Sequence, residues 1–328
     1  MVGDNGDDWL DRNHVSVECM RYFPDFFIIG APKCGTTAIY NWLSENPQVH
    51  APVKEPSFFS QDIVSTENIP THISSLEEYC GRFKGSQTGK EIIGEATPKY
   101  LYSDRALQKI NMLRPDAKLI VCLRDPVDLA ISFHNQKVKE GVECEPTFEA
   151  AWNRALEADN VTPLTLNHEI HGQINYLFWA SVGRRLERLF QYFPRRQVLF
   201  VFLSDLKTDP RRSYSMVLEF LGVENDGRKD FSVFNERRKI IWPWFHKVLL
   251  QARQRVMPVL GPYIRWRGGK GTGLLKAATS LTTTRGQYTS EVTSILRSNM
   301  YRTLRDDMRI TERLVDGGDI AGTGSGRK

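Results

Sequence analysis

The chain of 328 residues is long enough for one large α/β domain or two small ones, and its composition is that of an ordinary globular protein. A formal net charge of +5, from 44 basic and 39 acidic residues, falls well short of a nucleic-acid-binding tail and is compatible with an anionic ligand. No stretch approaches the roughly 20 apolar residues of a membrane span, and the acidic start MVGDNGDDWLDRNH is not a signal peptide.

Five cysteines (Cys19, Cys34, Cys80, Cys122 and Cys144) stand at wide spacings without a CxxC pair. That pattern argues against a zinc site and a disulfide framework, so a reduced, cytoplasmic setting is expected. Residues 1–22 read as a flexible polar arm, 23–316 as a single domain, and 317–328 as a disordered tail.

In chain order, Phe26 to Ile29 is a short apolar strand. Residues 36–46 read as a helix with Ile39, Trp42 and Leu43 on one face, ended by Pro47. EIIGE (91–95) is a second strand. KLIVCLRDP carries a third, whose unbroken apolar run fits a strand buried on both faces of a parallel sheet. Asp125 then caps a helix with Pro126 in its first position and with Val127, Ala130, Ile131, His134 and Val138 on one face. Leu186, Leu189, Phe190 and Phe193 mark another helix, and QVLFVFLSDL (197–206) a fourth buried strand. Tyr214, Val217, Leu218 and Leu221 mark the helix after it, closed by Gly222. The segment 240–285 fits no element.

This alternation predicts an α/β fold, a parallel sheet with helices on both sides. Ligands in such folds sit at the carboxyl ends of the strands. That rule selects Gly30 to Thr37, Glu95 to Lys99, and Arg124 onward.

GAPKCGTT keeps the glycine spacing of a nucleotide P-loop, with Gly30 and Gly35 around four residues. A P-loop carries a lysine after the second glycine; here Thr36 stands there and the lysine, Lys33, lies inside the loop. The N–H groups that open the following helix still favour an anion, with hydroxyls from Thr36 and Thr37 and charge from Lys33. In LRDPVDLAISFH, Arg124 and Ser132 offer an arginine fork and a hydroxyl, suited to a terminal phosphate. Glu95 reads either as a base or as a partner for Lys99. HEIH (168–171) lacks the HExxH spacing of a zinc protease. Arg184, Arg185 and Arg188, with Arg237, Arg238 and Lys239, are solvated charge or the lining of an anionic acceptor groove.

Together these motifs resemble the sulfotransferases that use 3′-phosphoadenosine 5′-phosphosulfate (PAPS), in their heparan-sulfate and bacterial carbohydrate branch. Further similarity runs through LSENPQVHAPVKEPSFF, GEATPKYLYS, GRRLERLFQYFP and LSDLKTDP. The resemblance implies a P-loop-type three-layer fold with a central parallel sheet flanked by helices. It implies that Pro32, Lys33, Cys34, Gly35, Thr36, Thr37 and Ala38 hold the 5′-phosphosulfate, and Arg124 and Ser132 the 3′-phosphate. Lys33 would stabilise the leaving phosphate and Glu95 would act as base, with no metal required. Lys270, in RGGKGTG, is the candidate for the family's C-terminal cofactor loop. Lys54, Glu55, Lys99 and His134 are candidates for the acceptor side. The expected acceptor is a carbohydrate or a small molecule, with no nucleic-acid or membrane partner. Ala96 stands where the branch often has a lysine, and Arg185 where many relatives have a tyrosine. The alternatives are a P-loop kinase or NTPase, which needs a lysine at position 36, and an inactive module of the same fold.

Overall fold

The computed structural model describes residues 16–63, 73–85, 92–140, 142, 143, 145, 147–161, 169–170, 173–231, 238–240, 283–285 and 292–317. The chain enters through a short helix, α1 (Val17–Arg21), capped by the Ser16 hydroxyl. Strand β1 (Phe26–Gly30) follows and is buried along its whole length. A loop leads to α2 (Thr36–Ser44) and the two-residue strand β2 (Val49–His50). Next come α3 (Leu76–Gly81), β3 (Ile92–Ala96), a 3₁₀ turn at Tyr100–Tyr102, α4 (Asp104–Leu113) and β4 (Lys118–Leu123).

Helices α5 (Pro126–Glu140), α6 (Phe148–Val161), α7 (Tyr176–Ala180) and α8 (Val182–Tyr192) precede the next strand of the sheet. Between α6 and α7, β5 (Glu169–Ile170) and β6 (Gln173–Ile174) form a small antiparallel pair. Strand β7 (Val198–Phe202) leads into α9 (Leu203–Thr208) and α10 (Pro210–Leu221). A second antiparallel pair, β8 (Arg238–Ile240) with β9 (Thr283–Arg285), precedes the long helix α11 (Ser294–Val315).

The main sheet has five strands in the order β2-β3-β1-β4-β7, all pairings parallel. β1 registers Phe27 against Glu95 of β3 and Leu119 of β4. From β1 the chain moves toward the β2 edge, and from β3 it moves the other way, to β4. With right-handed crossovers, connections in opposite directions place their helices on opposite faces. β1 is thus flanked on both sides by strands whose helices lie across the sheet from its own. A crevice at such a switch point is where open α/β sheets take ligands.

The expected strands and helices are present, with shifted edges. α2 stops at Ser44, ahead of the residue 46 expected. Asp125 caps α5, its Oδ1 accepting from the Asp128 N–H at 2.9 Å. Gly222 closes α10 in the left-handed region (φ 75°). The fourth strand ends at Phe202 rather than 206. Residues 203–208 turn into α9, with Asp205 in its first turn where a carboxylate suits the helix dipole.

Two expectations need correction. Residues 16–22, assigned to a loose arm, include α1, and α1 packs on α3. That packing brings the Cα atoms of Cys19 and Cys80 to 5.2 Å and joins them in a disulfide, where free thiols were expected. A separation of 61 residues gives no sequence signal for such a pair. Cys34 and Cys122 are free and buried.

α11 was not foreseen. It buries Leu296, Met300, Leu304 and Leu314 and lies along α8. The Asp307 carboxylate accepts the N–H groups of Gly183 (2.8 Å) and Arg184 (2.9 Å), capping the start of α8. The helices approach so closely there that a Cβ on residue 183 would lie 2.2 Å from the Asp307 carbonyl oxygen. Among the described residues, no helix is long and apolar enough to cross a membrane.

Gly183→Ala is expected to force the two helices apart and destabilise the protein by about 1–3 kcal/mol. A lowered thermal midpoint checks this, with Gly81→Ala in α3, where an added Cβ meets nothing within 4 Å, as a control for simple propensity effects.

Candidate active site

The loop between β1 and α2 is built on left-handed backbone. Lys33 (φ 66°) and Gly35 (φ 96°) both turn that way. Gly35 is the N-cap of α2 and so supplies no side-chain cap to the helix start. A side chain there would be strained, and its Cβ would lie 2.8 Å from Leu206 Cδ1. The first N–H groups of α2, from Thr36 and Thr37, are of the kind that helices offer to an anion, while the Ala38 N–H donates to the Gly35 carbonyl at 3.0 Å. Pro32 and Cys34 are buried parts of the loop. Burial pushes the Cys34 thiol up to about 12, so it carries no thiolate near neutrality.

Two lysines approach this helix start from different parts of the chain. Lys33 is half-buried, and desolvation holds its ammonium below the usual lysine value, against the attraction of Glu140. Lys54 comes from a bridge to Ala96 at the tip of β3. Its Nζ donates to Thr37 Oγ1 at 3.0 Å and to Glu55 Oε1 at 2.8 Å. Lys54, a candidate for the acceptor side, thus has its ammonium against the first turn of α2. Glu55, at φ 55°, anchors this segment through its N–H on the Ala96 carbonyl (2.9 Å).

The arginine motif meets the same loop. Arg124 follows β4, and its Nη1 donates to the Lys33 carbonyl at 3.4 Å. Its Nη2 lies 3.5 Å from Asp128 Oδ2. Ser132 is half-buried one turn beyond Asp128. Lys33 and Arg124, 91 residues apart, therefore form one cationic edge.

Glu95 is on β3, with 0% exposure. Three hydroxyls enclose its carboxylate: Thr97 donates to Oε1 at 2.5 Å, Tyr79 to Oε2, and Tyr100 to Oε2 at 3.4 Å. Phe58 stacks on Tyr79 with centroids 5.0 Å apart, and Phe59 meets the same ring edge-on at 5.1 Å. Burial raises the Glu95 carboxyl to about 7, against the three hydroxyls, which favour its ionised form. The paired Tyr79 and Tyr100 hydroxyls are pushed well above 10, first by burial and then by the Glu95 charge. The carboxyl thus changes charge near neutral pH, as a general base does. Its observed partners are the hydroxyls; Lys99 is half-buried at the start of the 3₁₀ turn.

Other candidates are placed elsewhere. His134 is fully buried on α5 between the rings of Phe148 and Tyr176, each centroid 5.5 Å away. Burial holds it below the usual histidine value, in the neutral form, against the attraction of the Glu143 charge. Arg185 lies over the Phe178 ring at 4.1 Å, and Arg188 Nε donates to Asp104 Oδ2 at 3.1 Å. These two arginines are committed to packing and an ion pair rather than to an open groove. Lys270, Arg237, His168 and His171 lie outside the described residues.

Sequence reasoning did not single out Tyr79, Thr97, Tyr100, Asp128 or Arg297. Thr97 and Tyr100 stood within the quoted GEATPKYLYS. Nothing local marks Tyr79, because its partner lies 16 residues away on another element.

Comparison with known proteins identifies the family of this fold. The family model described as a sulfotransferase domain matches residues 23–241. Heparan sulfate glucosamine 3-O-sulfotransferase 3A1 of Homo sapiens is 31% identical over 212 residues, covering 63% of this chain and 46% of that protein. The bifunctional heparan sulfate N-deacetylase/N-sulfotransferase 2 of Homo sapiens is 30% identical over 221 residues, covering 65% of this chain and 24% of that protein. The chain thus spans half or less of the length of these curated relatives. The crystal structure of a sulfotransferase from Alicyclobacillus acidocaldarius superposes with a TM-score of 0.63 at 23% identity, over 89% of this chain and 96% of that one. At that identity it shows a shared fold.

The Glu95 carboxyl makes a signed prediction. Its folded-state pKa, about 7, lies above its ordinary 4.5. Folding therefore retains a proton that the unfolded chain releases, and stability falls as pH rises from 4.5 to about 7. Glu95→Gln removes the titration. Its thermal stability relative to the parent is expected to improve between pH 4.5 and pH 8, by on the order of 3 kcal/mol at about 1.4 kcal/mol per pH unit. A difference between the two proteins that does not change with pH would assign the titration to another group.

Proposed function

This chain belongs to the sulfotransferase domain family, and on that premise we propose that it transfers the sulfuryl group of PAPS to an acceptor hydroxyl or amine. The observation that carries the proposal is the hydrogen bond from Arg124 to the Lys33 carbonyl. It joins the two cationic motifs into one edge at the carboxyl ends of β1 and β4. A donor with phosphate at both its 3′ and 5′ positions needs two anion sites at a fixed separation, and these motifs supply them.

The 5′-phosphosulfate would lie on the first turn of α2, against the N–H groups of Gly35 to Thr37 and the hydroxyls of Thr36 and Thr37. Lys33 and Lys54 would bring charge to it from two sides. Arg124 and Ser132 would hold the 3′-phosphate. In the reaction, the acceptor oxygen or nitrogen forms a bond to sulfur as the bond from sulfur to the bridging phosphate oxygen breaks. The acceptor proton goes to Glu95, directly or through one of the hydroxyls that enclose it. Negative charge grows on the leaving phosphate, where Lys33 stabilises it. A carboxyl that titrates at about 7 takes up such a proton without being protonated beforehand at mildly basic pH.

A carbohydrate acceptor is favoured by the relatives, whose names specify heparan sulfate. A small-molecule acceptor fits the same donor site. The competing P-loop kinase reading requires a lysine directly after Gly35, where this chain has Thr36. The Cys19–Cys80 disulfide suits an oxidising compartment better than the expected cytoplasm.

Thermal shift with adenosine 3′,5′-bisphosphate (PAP) or with ATP–magnesium separates the two enzyme readings. PAP is expected to raise the melting temperature, and stabilisation by ATP–magnesium alone would sink the sulfotransferase proposal. With radiolabelled PAPS and heparan-type oligosaccharides, Lys33→Ala is expected to lower sulfate transfer by about 10²–10³. Glu95→Gln should lower it by about 10²–10⁴. Full activity in Glu95→Gln would move the base to another group.

A further inference from the structure

Helix α11 begins more than 50 residues beyond the matched region 23–241, yet its first turns sit on the Arg124 motif. Arg297 Nη2 donates to Asp128 Oδ1. One turn later, the Tyr301 hydroxyl donates to Asp125 Oδ2 at 2.9 Å. Both contacts come from one face of α11, at i and i+4.

Asp128 is the centre of this arrangement. It stands four residues after Arg124 and four before Ser132, so it lies between the two groups assigned to the 3′-phosphate. Asp128 and Ser132 are about 6 Å apart along the axis of α5. Arg297 holds one oxygen of its carboxylate, and Arg124 Nη2 is 3.5 Å from the other. Two guanidinium groups thus converge on a single anion at the point that a phosphate spanning Arg124 and Ser132 must cover. Two arginine forks against one tetrahedral oxyanion is a common recognition geometry for phosphate.

The pairing is poorly explained as an anchor for α11. The Arg297 and Asp128 side chains are 37% and 38% exposed. Ion pairs this exposed contribute little to stability. Anchorage is supplied by the buried Leu296, Met300 and Leu304, and by the Asp307 cap on α8.

We propose that Arg297 is a second guanidinium of the donor's 3′-phosphate site, held on Asp128 until the phosphate takes the place of that carboxylate. The site is thereby completed by a helix outside the matched domain. This inference rests on the PAPS reading of the Arg124 motif and adds a residue to it.

Isothermal titration with PAP and with adenosine 5′-monophosphate tests it without an acceptor. The two ligands share the adenosine and 5′-phosphate, and only PAP carries the 3′-phosphate. Arg297→Gln is expected to weaken PAP by about tenfold or more, while the monophosphate affinity changes less than about twofold. Arg297→Lys, which keeps the charge and loses the fork, should recover part of the loss. Equal weakening of both ligands would mark Arg297 as a structural tether and overturn the proposal, as would unchanged PAP affinity. A parent protein that binds the monophosphate and PAP equally well would instead overturn the assignment of a 3′-phosphate site to Arg124 and Ser132.

Discussion

Strand β1 is the constraint on which the rest depends. Its five residues are all buried, and both of its edges are taken up by parallel ladders to β3 and β4. With no free edge and no solvated face, its register is fixed by every side chain it carries. The loop from Gly30 to Gly35 leaves from this fixed point, so Lys33 and the start of α2 inherit its position. The Ala31 N–H ties the loop onward to the Cys122 carbonyl of β4 at 2.7 Å. Arg124, two residues beyond Cys122, directly follows the strand that steadies the loop. The cationic edge is a consequence of strand pairing before it is a consequence of side-chain chemistry.

Glu95 shows a different use of the same sheet. Its backbone faces Phe27 of β1, below the level of the loop, so its carboxyl starts in the interior. An ionised carboxylate without partners would be costly there. Thr97, Tyr79 and Tyr100 meet that need only in part, and the residual cost appears as a proton affinity near neutrality. The burial that raises the carboxyl and the hydroxyls that lower it act in opposition. Each therefore sets the pH at which the group works.

Much of this was legible in the sequence, because it is local. Continuous apolar runs mark β1 and β4, and the Asp125-Pro126 pair marks the start of α5. A displaced lysine in a glycine-bounded loop sets this turn apart from a triphosphate P-loop. What the sequence did not show is what depends on distant partners. Tyr79 acquires meaning only where α3 packs over β3. Cys19 and Cys80 pair because two short helices happen to meet. The buried rows of α11 have helical spacing, at Leu296, Met300 and Leu304, and that signal was available. Its link to Asp128 was not, since an arginine on a polar face looks the same whether it meets solvent or a carboxylate. Lys54 is the intermediate case: its motif was visible, but the bridge that turns it toward Thr37 is tertiary.

The long reach of α11 also bears on how the protein is made. Its contacts with the Arg124 motif and with α8 close chain separations of 169 residues (Arg297 to Asp128) and 124 residues (Asp307 to Gly183). Contacts of such high order form late, after more local structure has reduced the entropy of closing the loop. A nascent chain on the ribosome has the sheet and the glycine-bounded loop in hand well before α11 emerges. Until then the start of α8 lacks its Asp307 cap, and its apolar side stands open to water. Docking of α11 therefore completes this part of the fold after the sheet and the loop it serves.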